Sequence, residues 1–341
     1  MSAYELTYRL RAAGKRRAFK PSTIIALVML IGFAGLPLIS SGYVLTSYRD
    51  ILLLGLFALS LDIFWGRTGI LSFGHATFFG LGAYGMAIVT IHSDLDVSVL
   101  SLAGLGFGIG LAALVSLAVG YFILYGGVRG AYFTIVTLAL TLIANQIAIG
   151  WSSVTGGDSG LIGVAPFSIL GADLSGPVAS YYFALALVAI CLLSSLAIMH
   201  GRLGALLTAI QDNEIKVRTL GYRTQFILLM TFTTSAAMAG LAGAVYAAGT
   251  GFVAPDMIAL LLSTEVIIWV AVGGSGTLTG AIIGTFIVWQ FQEKVSSFSV
   301  AAWPILMGSF FILLVLVFPK GLPAFIMDKV ARLKKRPGAS Q

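Results

Sequence analysis

FILLMTFTTSAAMAGLAGAVYAAG, at residues 226–249, runs for 24 residues without a charged side chain. About 20 such residues suffice for a helix to cross the hydrocarbon core of a membrane, where each backbone polar group needs a partner within its own segment. Further apolar segments lie at 24–44, 51–65, 70–91, 98–124, 131–150, 177–199, 258–272, 277–291 and 302–318. The sequence therefore predicts an all-α fold, a polytopic transmembrane helical bundle.

Two of these segments are short for a span. Residues 258–272 and 277–291 are joined by the glycine turn Gly273-Gly274-Ser275-Gly276, so they are either full spans or a re-entrant pair. We therefore predict 8–10 spans with broken or re-entrant helices. Segment 24–44 is too long for the core of a cleaved signal peptide and is predicted to be the first span.

The basic residues indicate how the chain is oriented. Charged residues make up 10% of the chain, against about 25% in soluble domains. Of the Lys and Arg residues, six precede Pro21, six lie from Lys320 onward and four lie in the polar loop 201–223. Basic clusters beside spans mark the cytoplasmic side. We predict a multi-pass membrane protein with a cytoplasmic tail at 1–22, a transmembrane domain at 23–325 and a cytoplasmic tail at 326–341. This orientation accounts for the net charge of +7, so the charge does not indicate a nucleic-acid partner.

The sequence contains no residue pattern that would support enzymatic catalysis. Its single cysteine, Cys191, excludes an intrachain disulfide, and its three histidines form no metal-binding spacing. It contains no phosphate-binding G-x-x-x-x-G-K-[ST] motif and no nucleophile–base set. We predict a transport subunit with no catalytic residues and no metal site.

A short pattern recurs in the two halves of the chain. Gly66-x-x-Gly69-x-Leu71-Ser72 is repeated as Gly273-x-x-Gly276-x-Leu278-Thr279, each copy following an apolar segment. Repeats with glycine-interrupted helices are typical of transporters, although a short pattern in a glycine-rich chain also arises by chance. We predict helix breaks at Gly66, Gly69, Gly273 and Gly276.

The loop 201–223 has the pattern of a short amphipathic helix. Leu203, Leu206, Leu207 and Ile210 are spaced to form one apolar stripe against the membrane domain. Asp212 is the predicted N-cap of a helix through Leu220, with Glu214 in its first turn, Arg218 in its last and Gly221 at the C′ position. Such a helix either docks in a partner's groove or is a solvated connector.

The loop and six other stretches resemble the branched-chain amino-acid ABC permeases, a family that includes permeases for urea and short amides. In the loop these are GRLGALLTAIQDNE (201–214) and TLGY (219–222). The others keep the same order along the chain: GILSFGHATFFGLGAY (69–84), RGAYFTIVTL (129–138), TGGDSGL (155–161), AGLAGAVY (239–246), GGSGTLTGA (273–281) and FPKGL (318–322).

The resemblance implies an ATP-driven importer with several subunits, in which the domain at 23–325 is a permease of the bacterial inner membrane. Its partners would be a second similar permease, two cytoplasmic ATPase subunits that bind ATP and Mg, and a periplasmic solute-binding protein; this chain itself would hold no cofactor. The resemblance also places a coupling helix in the loop, with the coupling residues Ala209, Asp212, Asn213, Glu214, Arg218 and Gly221.

Polar residues at membrane depth are candidates for the solute pathway because their burial in lipid is costly. The candidates are Ser72, His75, Asn145, Glu265 and Trp269. Each has a structural alternative: packing for His75, helix bridging for Asn145, and backbone capping or an outer interfacial position for Glu265. Asp62 is predicted to form an interfacial ion pair with Arg67.

The resemblance leaves the solute open between two branches. The sequence near the Gly273 break and Trp303-Pro304 favour urea or short amides, whereas the loop at 155–160 favours branched-chain amino acids, which we take as the first choice. An ion-coupled secondary transporter or channel is the alternative from another class. It leaves the polar loop 201–223 without a role.

Overall fold

The computed structural model describes residues 21–40, 42–91, 96–169, 172–298 and 308–309. These residues confirm the all-α prediction. The helices are α1 (Pro21–Gly35), α2 (Gly42–Thr68), α3 (His75–Ile91), α4 (Val97–Tyr125), α5 (Ala131–Gly150), α6 (Ser152–Thr155), α7 (Pro177–Met199), α8 (Arg202–Thr219), α9 (Thr224–Thr250), α10 (Leu260–Gly273) and α11 (Thr279–Phe298). Both predicted tails and most of the predicted span 302–318 lie outside the described residues.

Five of the described helices are long and apolar enough to cross a membrane: α2, α4, α5, α7 and α9. Helices α4 and α5 expose large apolar side chains such as Phe122 and Ile135, at 76% and 61%. In water such surfaces would be unfavourable, whereas lipid tails accept them. The chain is therefore a multi-pass membrane protein.

The first predicted span differs from the observed helices. Helix α1 ends at Gly35 and is followed by a 3-10 turn at Leu36–Leu38, whereas residues 42–44 already belong to α2. The prediction of one span over 24–44 is wrong because an apolar run alone does not mark where a helix turns back. Pro37 lies in the 3-10 turn, where its fixed φ and missing N–H favour a break in the helix.

The two ends of the bundle differ in structure. Helix α9 begins directly after the polar helix α8 and ends directly before a short strand, β4 (Phe252–Val253). Its 27 residues span about 40 Å, so α8 and β4 lie at opposite ends of the bundle. We call these the polar end and the strand end. At the strand end, β4 pairs antiparallel with β1 (Leu161–Ile162), and a second two-stranded sheet pairs β2 (Ser168–Ile169) antiparallel with β3 (Ala172–Asp173).

Helices α3, α4 and α9 approach each other closely through glycine. A methyl group at Gly82 of α3 would overlap the carbonyl oxygen of Gly240 in α9, and one at Gly108 of α4 would lie 2.6 Å from that of Gly82. Gly243 likewise lies against the backbone of Phe79. Gly240-x-x-Gly243 is therefore a close-packing motif between helices.

Candidate functional site

A cavity of about 470 Å³ opens among helices α2, α3, α9, α10 and α11. Its walls include Thr250, Phe252, Ala254 and Asp256, which place it at the strand end of the bundle. The remaining lining residues are Leu54, Phe79, Tyr246, Met257, Ala259, Leu261, Leu262, Glu265, Trp269 and Trp289. A concave site with aromatic walls and few polar groups is the usual form of a small-molecule site.

Two of the predicted pathway residues, Glu265 and Trp269, line this cavity. They lie one turn apart on α10, so both side chains project from the same face. Within the described part of the chain, the Glu265 carboxylate has no hydrogen-bond or ion-pair partner. An acid beside aromatic rings can bind a cationic group by charge and by cation–π contact.

The other three predicted pathway residues lie elsewhere. The buried ring of His75 stacks on Phe57, with centroids 5.5 Å apart, and its Nε2 lies 2.8 Å from Ser60 Oγ. Ser72 is buried and accepts the N–H of the neighbouring Gly74. Asn145 donates from Nδ2 to the carbonyl oxygen of Pro255 at 2.9 Å. None of the three is among the residues that line the cavity; the contacts of His75 are those of a packing residue, and Asn145 bridges two elements of the bundle.

Helix α2 ends at Thr68, and residues 69–74 are not helical before α3 begins at His75. Three threonines of α5 form hydrogen bonds with the backbone of this non-helical segment, which we call the first break. Thr134 Oγ1 donates to Leu71 O at 3.0 Å, Thr137 Oγ1 accepts Phe73 N–H at 3.2 Å, and Thr141 Oγ1 donates to Phe73 O at 3.1 Å. Unpaired backbone at membrane depth is tolerated only where protein groups satisfy it.

Sequence reasoning missed this ladder of threonines. Thr134, Thr137 and Thr141 recur at i, i+3 and i+7, which places them on one face of an otherwise apolar helix. That spacing is the signal that would have revealed them.

The second break, at 274–278, is held by Asp62. The fully buried carboxylate accepts the N–H of Gly276 on Oδ1 at 2.5 Å and the N–H of Leu278 on Oδ2 at 2.8 Å. No ion pair joins it to Arg67 among the described residues. The predicted Asp62–Arg67 pair is therefore wrong, because two backbone donors from the other half of the chain occupy the carboxylate.

The two breaks touch each other and the polar helix. Gly66 lies so close to Gly276 that a methyl group on it would overlap the Gly276 nitrogen. On the other side, a methyl group at Gly69 would lie 3.1 Å from the Gln211 amide nitrogen of α8. The predicted breaks, 207 residues apart in sequence by the spacing of Gly66 and Gly273, thus form one contact region at the polar end.

Helix α8 differs in detail from its prediction. It is one element from Arg202 to Thr219 with a kink at Asn213, whose φ of −162° and ψ of 93° are not helical. The residue that caps the second segment is Asn213, whose Oδ1 accepts Lys216 N–H at 2.9 Å; the prediction of Asp212 is one residue off. Gly221 has a φ of +90°, as expected at C′.

The predicted apolar stripe is largely correct. Leu207 and Ile210 are buried, and Leu206 and Ala209 pack partly against the core. Leu203 was wrongly included, since 51% of it is exposed. It lies at the start of α8, where only one side of the helix is covered.

Glu214 anchors the second segment of α8. It forms a bidentate ion pair with Arg129 and accepts Thr224 Oγ1 at 2.9 Å and Arg218 Nη2 at 3.2 Å. Partial burial alone would raise its pKa, but these hydrogen bonds and the Arg129 charge outweigh it, so the pKa lies below its usual value. Glu214 faces the protein, whereas Asp212, Ile215, Arg218 and Leu220 are exposed.

These features define a class of protein: a multi-pass membrane transport subunit with broken helices, a cavity at one end and a polar helix at the other. The particular family follows from sequence comparison. A family profile described as "Branched-chain amino acid transport system / permease component" matches residues 43–319, and the chain belongs to this family.

Individual relatives support the same assignment. The chain is 27% identical over 288 residues to the LivM permease protein of a high-affinity branched-chain amino acid transport system from Escherichia coli, covering 77% of this chain and 66% of the relative. It is 28% identical over 299 residues to the autoinducer 2 import permease LsrC of Yersinia enterocolitica, covering 80% and 82%. The chain thus spans slightly less than two thirds of the LivM proteins. No solved structure matches it.

Proposed function

We propose that the chain is a permease subunit of an ATP-binding-cassette importer and forms the translocation path for branched-chain amino acids. The observation that carries the proposal is the contact of α8 with the first break. Gln211 lies directly against Gly69, so a push on the polar helix reaches the point where the spans are interrupted. An ion-coupled transporter would have no use for this contact.

The proposal assigns partners to the two ends of the bundle. The polar end faces the cytoplasm, where two ATPase subunits bind ATP and Mg and contact the exposed residues of α8, among them Ile215, Arg218 and Leu220. Both termini lie on this side. A periplasmic solute-binding protein delivers solute at the strand end, and a second permease subunit completes the path. The chain itself performs no catalysis.

Within this scheme, the cavity is the outer part of the path. Trp269 and Trp289 supply apolar and aromatic surface for a branched side chain, and Glu265 supplies a charge for an ammonium group. This combination favours a branched-chain amino acid over urea or a short amide, which carries no cation.

The decisive experiment uses the complex purified through a tag on this chain and reconstituted in proteoliposomes. We expect nucleotide-binding subunits to copurify, and radiolabelled leucine to accumulate only with ATP and the binding protein. Uptake of urea, a short amide or autoinducer 2 in place of leucine would support the importer assignment and show that the transported solute is a different one. Leucine uptake that continues without ATP would contradict the proposal.

Replacing Glu265 with glutamine is expected to lower leucine uptake about tenfold at subsaturating solute. A hydrogen bond to a charged group contributes about 1.5–3 kcal/mol, and about 1.4 kcal/mol corresponds to a factor of ten. ATP hydrolysis should persist, since Glu265 lies in the cavity and far from α8. The matched control is Asp158→Asn, the same change at an exposed site outside the cavity. Equal uptake by Glu265→Gln and Asp158→Asn would remove Glu265 from the path.

A further inference from the structure

The contact between Arg129 and Glu214 joins the loop after α4 to the second segment of α8. Arg129 Nε lies 2.9 Å from Oε2 and Nη2 lies 2.9 Å from Oε1 of the carboxylate. Two parallel N–H···O bonds of this kind fix orientation as well as distance. The side chains are 26% and 20% exposed, so salt screens them less than a fully exposed pair.

Each partner also holds the end of a long helix. Arg129 Nη1 donates to the carbonyl oxygen of Leu124 at 3.1 Å, in the last turn of α4. Glu214 Oε1 accepts the hydroxyl of Thr224, the first residue of α9. The pair therefore connects α8 to α4 and α9, which both pack against α3 through glycine contacts.

Arg218 provides an internal comparison. It also contacts Glu214, at 3.2 Å, but it lies four residues away on the same helix and is 56% exposed. A contact within α8 stabilises that helix and cannot link it to another element. Of the two arginines that contact Glu214 in the described residues, only Arg129 belongs to a different element.

We infer that Arg129 is a positioning residue for transport. Through Glu214 it ties the second segment of α8 to the ends of α4 and α9, so that displacement of α8 moves both helices together. The inference rests on the proposed function, because it requires a motor that displaces α8.

A double-mutant cycle tests the link in the reconstituted complex. Arg129→Ala and Glu214→Ala are each expected to lower the leucine taken up per ATP hydrolysed about tenfold, with ATP hydrolysis retained. The double variant should lie no lower than Glu214→Ala alone, because the contact that Arg129→Ala breaks is already lost when Glu214 is replaced. A loss of about a hundredfold in the double variant would mean independent roles and would overturn the inference.

Two further variants keep the test decisive. Arg129→Lys retains the charge and cannot form both parallel bonds, so we expect its leucine uptake per ATP hydrolysed to lie between those of the wild type and Arg129→Ala. If Arg129→Ala fails to insert into the membrane, Arg129→Lys tests the link in its place. A wild-type value of uptake per ATP in Arg129→Lys would then refute the link. Arg49→Lys is the control for this substitution, since Arg49 forms its ion pair with Asp50 on its own helix and outside α8, so the leucine taken up per ATP hydrolysed should stay at the wild-type value. If the wild type takes up no leucine with ATP, the proposed function itself fails. Wild-type uptake with an unchanged ratio in Arg129→Ala overturns only the link.

Discussion

Replacing Asp62 with alanine is expected to destabilise the protein by about 2–6 kcal/mol and to abolish uptake. The change leaves the N–H groups of Gly276 and Leu278 without their acceptor in a fully buried site. Each buried donor without a partner costs about 1–3 kcal/mol. Thermal unfolding in detergent, followed by tryptophan fluorescence, measures the loss.

Asp62→Asn provides the graded control for this prediction. Its amide oxygen can accept one N–H, while its amide nitrogen faces the second donor, so we expect a smaller loss than for alanine. At the first break, Ser263 Oγ accepts the N–H of Ala76 at 3.1 Å, a single donor where Asp62 accepts two. Wild-type stability in Asp62→Ala would show that the second break does not depend on this carboxylate.

Replacing Gly82 with alanine is expected to cost about 3 kcal/mol, at the upper end of the usual range for overpacking. The added methyl group would overlap the carbonyl oxygen of Gly240, and a backbone oxygen cannot rotate away as a side chain can. Gly108→Ala should act in the same direction, with its methyl group 2.6 Å from the Gly82 oxygen. Both variants should unfold at lower temperature and reach the membrane in smaller amounts.

Gly110→Ala is the matched control on the same helix as Gly108. No atom lies within 4 Å of the position that its methyl group would occupy. Alanine restricts the unfolded chain more than glycine does, so this change should be neutral or stabilising by about 0.5–1 kcal/mol. Equal stabilities of Gly108→Ala and Gly110→Ala would contradict the prediction, because only Gly108 lies against another helix.

The contrast between Asp62 and Glu265 explains why the candidate site was only partly predictable. Both are acids inside apolar segments, and the sequence assigned a local partner to Asp62 because Arg67 is near in the chain. The actual donors on Gly276 and Leu278 are more than 200 residues away, at separations of 214 and 216. Glu265 and Trp269 both line the cavity, and their spacing alone places them on one face of a helix; their role in the solute pathway stays a prediction.

The sequence by itself determined that this is an all-α membrane protein of the permease family, because apolar length, basic clusters and ordered motifs follow from the chain alone. It also pointed to glycine turns close to the observed breaks after Thr68 and Gly273, where Gly69, Gly274 and Gly276 have positive φ. Only the tertiary structure decided which groups satisfy those breaks, that the breaks touch, and that Glu214 faces Arg129. Those pairings depend on how helices that are far apart in the sequence pack together. The pattern of residue types along the chain does not state which of these helices meet.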